Sequence, residues 1–233
     1  RAARCGQRAT ASAQLHLELA AGYFARGRFQ TALDELDAVL AARPDMHEAY
    51  GLRGLVYAAL GEYPQAEESF RRALQLSPGN PETMHNFGWF LCQVRRFDDA
   101  EAQFQAALAQ PSYREPQRTL LAEGVCFARA GRMADAERVL SRAYELDPAN
   151  AAAGFNLSEV LFRRGEFDRA RFYLDRVNAV PEFVNAQTLW LAARIEQRAG
   201  NAIAARDYGR RLRERYPQSP EALLYEQGRF GDD

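Results

Sequence analysis

Residues 47–80 read HEAYGLRGLVYAALGEYPQAEESFRRALQLSPGN, and this stretch decides the fold. It holds two segments whose apolar residues recur at helical spacing, one around Tyr57 and one around Phe70, so each is a helix with one apolar face. Gly61 lies between them, where a residue in the left-handed conformation lets the first helix end and the chain turn. Pro78 follows the second helix and stops it, because it has no N–H to give to the preceding turn. Gly54 and Ala66 are small residues placed where the two helices cross; a larger side chain there would push them apart at a cost of about 1–3 kcal/mol. The stretch is a helix-turn-helix hairpin.

The same marks recur on both sides of it. Ala32, Ala66, Ala100, Ala136, Ala170 and Ala205 form one column, with spacings of 34, 34, 36, 34 and 35. Five residues ahead of each stand Gly27, Gly61, Arg95, Gly131, Gly165 and Gly200, and twelve after it stand Pro44, Pro78, Pro148 and Pro217, with Pro111 and Pro181 one place early. A second small column is Ala20, Gly54, Gly88, Gly124, Ser158 and Ala193. Tyr23, Tyr57, Leu91, Phe127 and Leu161 give the first helices their apolar face, as Leu36, Phe70, Phe104, Leu140 and Leu174 do for the second helices. A period near 34 residues is that of the tetratricopeptide repeat. The predicted fold is therefore all-α: a right-handed superhelical solenoid of six tetratricopeptide helix-turn-helix repeats, at 13–46, 47–80, 81–116, 117–150, 151–185 and 186–219. A flexible tail is expected over 1–12, and a C-terminal capping helix with a short tail over 220–233, opened by Pro220. The sixth repeat reads as degraded, with Glu196 where an aromatic is expected and Gly209 in its second helix; a terminal repeat that faces water is commonly atypical.

Composition narrows the function. Apolar residues make up 47% and charged residues 26% of the 233, which suits a folded chain. The formal net charge of -1, with no basic stripe, argues against nucleic acid, whose binders neutralise phosphates. The sequence contains no lysine, which removes Schiff-base chemistry and the phosphate-loop lysine. No apolar run reaches the roughly 20 residues that span a bilayer. His16, His47 and His85 sit in different repeats without metal-ligand spacing. Repeats occupy almost the whole chain and leave no room for a catalytic domain. The expectation is a non-catalytic scaffold with no cofactor, no metal and no small-molecule substrate, whose partner is a protein.

In the usual repeat geometry the second, fifth, sixth, ninth, twelfth and thirteenth residues of each repeat face the concave side, where a peptide or a partner helix docks. The first repeat places Leu17, Ala21 and Phe24 there, and the second Leu52, Leu55, Ala58 and Ala59. The third places Trp89 beside Asn86 and Cys92, the fourth Val125 and Arg129, the fifth Phe155, Asn156, Glu159, Phe162 and Arg163, and the sixth Trp190, Arg194 and Arg198. The early repeats offer an apolar groove, the late ones aromatic rings among arginines. Apolar residues on a wet face indicate a binding surface; the alternative is that the superhelix itself covers them. Trp89 and Trp190 fit packing against a neighbouring repeat as well as they fit ligand contact. Cys92 and Cys126 lie near the middles of first helices in adjacent repeats, where either a disulfide or two buried thiols can be accommodated.

The segments Leu17-Glu18-Leu19-Ala20-Ala21-Gly22-Tyr23 and Asn86-Phe87-Gly88-Trp89-Phe90-Leu91-Cys92 point further. With them go the lengthened loop Pro111-Ser112-Tyr113, then Gly124-Val125-Cys126, and Tyr208-Gly209 with Tyr216-Pro217. Together they resemble the type IV pilus biogenesis and stability lipoproteins of Gram-negative bacteria, the pilotins, over nearly all of residues 13–219. The resemblance implies a periplasm-facing protein of the outer membrane, tethered through an acylated cysteine and soluble when that anchor is absent. It implies a role in bringing the pilus secretin to the outer membrane and in its assembly into a ring. Cys5 is the N-terminal cysteine available for acylation. An oxidising periplasm favours a bridge between Cys92 and Cys126. The alternative function is a general tetratricopeptide adaptor in another cell-envelope complex.

Overall fold

A computed structural model describes the backbone of residues 2–231 and the side chains of residues 10–231. Among these residues there are thirteen α-helices, one 3-10 turn and no strand. The chain forms two compact units, Arg1–Arg114 and Glu115–Asp233. The first contains three hairpins: α1 (Ala2–Ala25) with α2 (Phe29–Ala42), α3 (His47–Leu60) with α4 (Tyr63–Leu76), and α5 (Pro81–Gln93) with α6 (Phe97–Leu108). The second contains α7 (Pro116–Arg129) with α8 (Met133–Leu146), α9 (Ala151–Arg163) with α10 (Phe167–Asn178), α11 (Ala186–Arg198) with α12 (Ala202–Arg215), and finally α13 (Pro220–Glu226). The 3-10 turn, Pro181–Phe183, joins α10 to α11.

The turn column behaves as its chemistry requires. Gly27, Gly61, Gly131, Gly165 and Gly200 all have φ between 71° and 83°, and Arg95, the one residue of that column with a side chain, is held at 65°. The small columns are buried where paired helices cross: Ala32, Ala66, Ala100, Ala136 and Ala170 are fully enclosed, and so is Ala20. A Cβ on Gly54 would stand 2.7 Å from the Phe70 ring, one on Gly88 2.8 Å from Phe104, and one on Gly124 2.4 Å from Leu140. Small residue and large residue are thus two halves of one contact, made once per hairpin. Ser158 fills the same column in the fifth repeat and satisfies its hydroxyl by donating to the Ala170 carbonyl at 2.8 Å.

Consecutive hairpins are tied by charge as well as by packing. Glu67, one residue past Ala66, accepts from Arg71 on its own helix and from Arg96 of the next repeat, both at 2.7 Å. Burial works against its charge, but these two guanidinium hydrogen bonds outweigh it and hold the carboxyl below its ordinary range. Glu137, one residue past Ala136, takes Arg164 at 2.9 Å and Arg169 at 2.7 Å from the repeat that follows.

Residues 2–12 continue α1 as helix; four of these eleven residues are alanine and none is proline. One expectation is corrected. The sixth repeat is complete rather than degraded. Gly209 stands four residues after Ala205, where the other repeats carry Leu or Phe, and a Cβ there would lie 1.9 Å from the Tyr225 ring. Tyr225 of α13 supplies the large group that the second helix lacks. Glu196 is buried, and Arg171 of the fifth repeat donates to both of its oxygens at 2.5 and 3.1 Å.

Candidate protein-binding site

The expected groove residues divide between the two units. In the first unit, Ala13, Ala20, Leu36, Val39, Ala49 and Val56 form the closed core of the leading hairpins. Leu17, Phe24 and Leu52 pack against that core but stay partly exposed; Leu55 and Ala58 are partly exposed, and Ala21 and Ala59 are open to solvent. α1 and α3 therefore offer a run of aliphatic and aromatic carbon. Gly51 and Gly54 lie on the buried side of α3, where a Cβ would meet Thr83 and the Phe70 ring. Trp89 is half-buried, one turn before the buried Cys92.

In the second unit the ring residues are covered to different degrees. Phe155 lines a cavity of about 300 Å³ with Trp190, Leu191 and Leu224, and arginines 163 and 194 stand at its walls. Phe162 is only 6% exposed, because the guanidinium of Arg194 lies 4.7 Å above its ring and Phe167 packs at 5.7 Å. It supports the face from beneath rather than lining it. Trp190 is 5% exposed: Phe230, returning after Gly228, stacks on it at 5.4 Å, and the Phe230 carbonyl accepts from Arg194 Nε at 3.2 Å. For Trp190 packing prevails over open contact. A larger cavity, about 460 Å³, lies between Phe155, Asn156, Phe183 and Gln187. Sequence reasoning missed Leu224, Phe230 and Phe183, because each comes from the capping segment or the 3-10 turn, outside the repeat register.

Cys126 is buried in the second unit as Cys92 is in the first, and each is disulfide-bonded rather than a free thiol. The side chain of Cys5 lies outside the described residues. His16 meets Glu35 at 2.5 Å, His47 meets Glu48 at 3.3 Å, and His85 packs edge-on to Phe104. Among the described residues no three His, Cys, Asp or Glu side chains cluster to hold a metal ion, and no helix is long and apolar enough to cross a membrane.

What the geometry provides is paired helices with shallow clefts in the second unit and part-exposed apolar side chains on α1 and α3 of the first, and the family follows from comparison. Models of the tetratricopeptide repeat match residues 17–81, and again residues 57–123 and 127–182. The chain belongs to the tetratricopeptide repeat family. Within that family it is similar to the type IV pilus assembly protein PilF of Pseudomonas aeruginosa, with 25% identity over 206 residues, 88% of this chain and 81% of that one. The crystal structure of PilW, a widely conserved type IV pilus biogenesis factor, superposes with a TM-score of 0.86 at 30% identity and covers 92% of this chain and 98% of its own. The structure of Pseudomonas aeruginosa PilF gives 0.81 at 23% identity, over 94% and 99%. This tetratricopeptide scaffold is thus related to type IV pilus biogenesis factors over nearly its whole described length.

Proposed function

We propose that this protein is a pilotin-like scaffold which docks a segment of the type IV pilus secretin in the apolar groove of its first repeats and so assists secretin assembly at the outer membrane. The observation that carries the reading is the run of part-exposed apolar side chains on α1 and α3, from Leu17 and Phe24 to Leu52 and Leu55, in a chain similar to pilus assembly and biogenesis proteins. A partner helix with an apolar stripe, or an apolar extended segment, removes that surface from water at about 25 cal/mol per Å². The scaffold role asks nothing of the chain but shape and stability, which matches repeats that fill the chain. Acylation of Cys5 places the protein on the periplasmic side of the outer membrane.

The test is secretin multimer content in cells carrying Leu52→Glu with Leu55→Glu, after circular dichroism has shown the purified variant to be folded. Loss of the multimer is expected. Unchanged multimer with a folded variant removes this face from the account. Secretin in a pull-down from pilus-bearing cells separates the reading from that of a general envelope adaptor.

A further inference from the structure

The inner faces of the two units carry opposite charge. At the inward positions of the first three repeats there is no arginine and there are three glutamates, Glu18, Glu48 and Glu82. At the same positions of the last three repeats there are five arginines, 118, 129, 163, 194 and 198, and one glutamate, Glu159. Arg129, Arg163 and Arg198 are the same residue of successive repeats, so they form a ladder along the ends of α7, α9 and α11. The two crevices between these helices are lined by this set. One, of about 120 Å³, has Arg129 and Arg163 over Val125 and Val160. The other, of about 300 Å³, has Arg163 and Arg194 over Phe155, Trp190 and Leu224.

The arginines are held in place. Arg163 pairs with Glu159 at 3.2 Å, which neutralises the one inward carboxylate of these repeats. Arg194 is clamped over Phe162 and donates to the Phe230 carbonyl. Arg198 lies 5.4 Å over Phe167 and 5.9 Å over Phe162. A stacked guanidinium loses less freedom on meeting a carboxylate than a loose side chain does, and its planar fork suits that group. Glu159 and Glu221 line the 300 Å³ crevice against Arg163 and Arg194, so that crevice is balanced in charge and the excess positive charge of the face sits on Arg129 and Arg198.

We propose that the inner face of the second unit is a separate docking site for an acidic linear peptide of a partner protein, with its carboxylates on the arginine ladder and bulky apolar side chains in the two crevices. Charge complementarity sets the occupant: a basic or neutral segment gains nothing from the ladder, and a polyanion without apolar side chains leaves the crevices unfilled. The site is independent of the secretin groove and stands whether or not that reading holds.

The experiment is fluorescence anisotropy with the whole protein and a short labelled probe peptide of aspartate and glutamate interrupted by two phenylalanines. The expected result is saturable binding that weakens as salt rises and falls about tenfold or more in Arg129→Glu with Arg163→Glu, compared after circular dichroism has shown the variant to be folded, since Arg163 also pairs with Glu159. Arg129→Gln with Arg163→Gln should give a smaller loss in the same direction, and Leu52→Glu with Leu55→Glu should leave binding unchanged. No binding by the wild-type protein would overturn the proposal. So would equal affinity for a peptide with lysine in place of the acids, equal affinity of the charge-reversed variant, or equally tight binding of a single-stranded DNA of matching charge.

Discussion

Arg95 occupies the left-handed turn position that glycine holds in the other five repeats, at φ 65°. A side chain in that conformation costs about 1–2 kcal/mol, and the stacking of the Arg95 guanidinium 5.4 Å over Phe97 returns about 0.5–1 of it. Arg95→Gly should therefore stabilise the protein by up to about 1 kcal/mol, and Gly61→Ala should destabilise it by about 1–2 kcal/mol, both read from urea unfolding midpoints. Asp175 gives a residue-scale test by pH. Burial, and then the charge of Glu196, push its carboxyl above the ordinary range, with Arg171 opposing; Tyr208 faces it too, its phenol raised first by burial and then by Asp175. A carboxyl raised in the folded state is best tolerated when protonated in both states. Its cost is absent below the unfolded value and develops as pH rises through the folded one. Asp175→Asn should thus raise stability at neutral pH, and the gain should vanish in acid. A gain that persists unchanged below pH 4, about the ordinary carboxyl value, would contradict this assignment.

At the scale of elements, the hairpin is a pairing of one small and one large residue, and the last hairpin borrows its large residue from α13. Tyr225→Ala should cost about 2–4 kcal/mol, as a large-to-small change that empties the space over Gly209. Gly209→Leu should be comparably harmful, because the new side chain meets the Tyr225 ring. The double variant Gly209→Leu with Tyr225→Ala should recover part of the loss, and this coupling, measured as a double-mutant cycle, is the signature of a shared site. Here the reach of the sequence is plain. Gly27, Ala32 and Pro44 and their repeats mark where helices turn, cross and stop, since those are local demands of backbone and packing. The register was legible for that reason. Gly209 with Tyr225, and Glu196 with Arg171, were not: each partner lies outside the repeat that holds the other, and a single unusual residue reads as decay until its partner is seen. The same limit applies to the candidate site. Positions 17, 24, 52 and 55 could be placed on an inner face by counting, but the covering of Trp190 by Phe230 and of Phe162 by Arg194 depends on the capping segment and on long side chains.

Across the whole molecule, six hairpins repeat one structural rule while the residues on their inner faces vary freely. The columns at 32, 66, 100, 136, 170 and 205 hold the fold, and the inward positions differ from repeat to repeat. The first unit's inward face is apolar and the second unit's is rich in arginine. The central claim is that the first repeats hold a secretin segment, and site-specific photo-crosslinking in pilus-bearing cells tests it most directly. A photoreactive side chain at Leu55 should capture the secretin, and one at Glu68, exposed on α4, should not. No secretin adduct at Leu55, or equal adducts at both positions, would contradict the account.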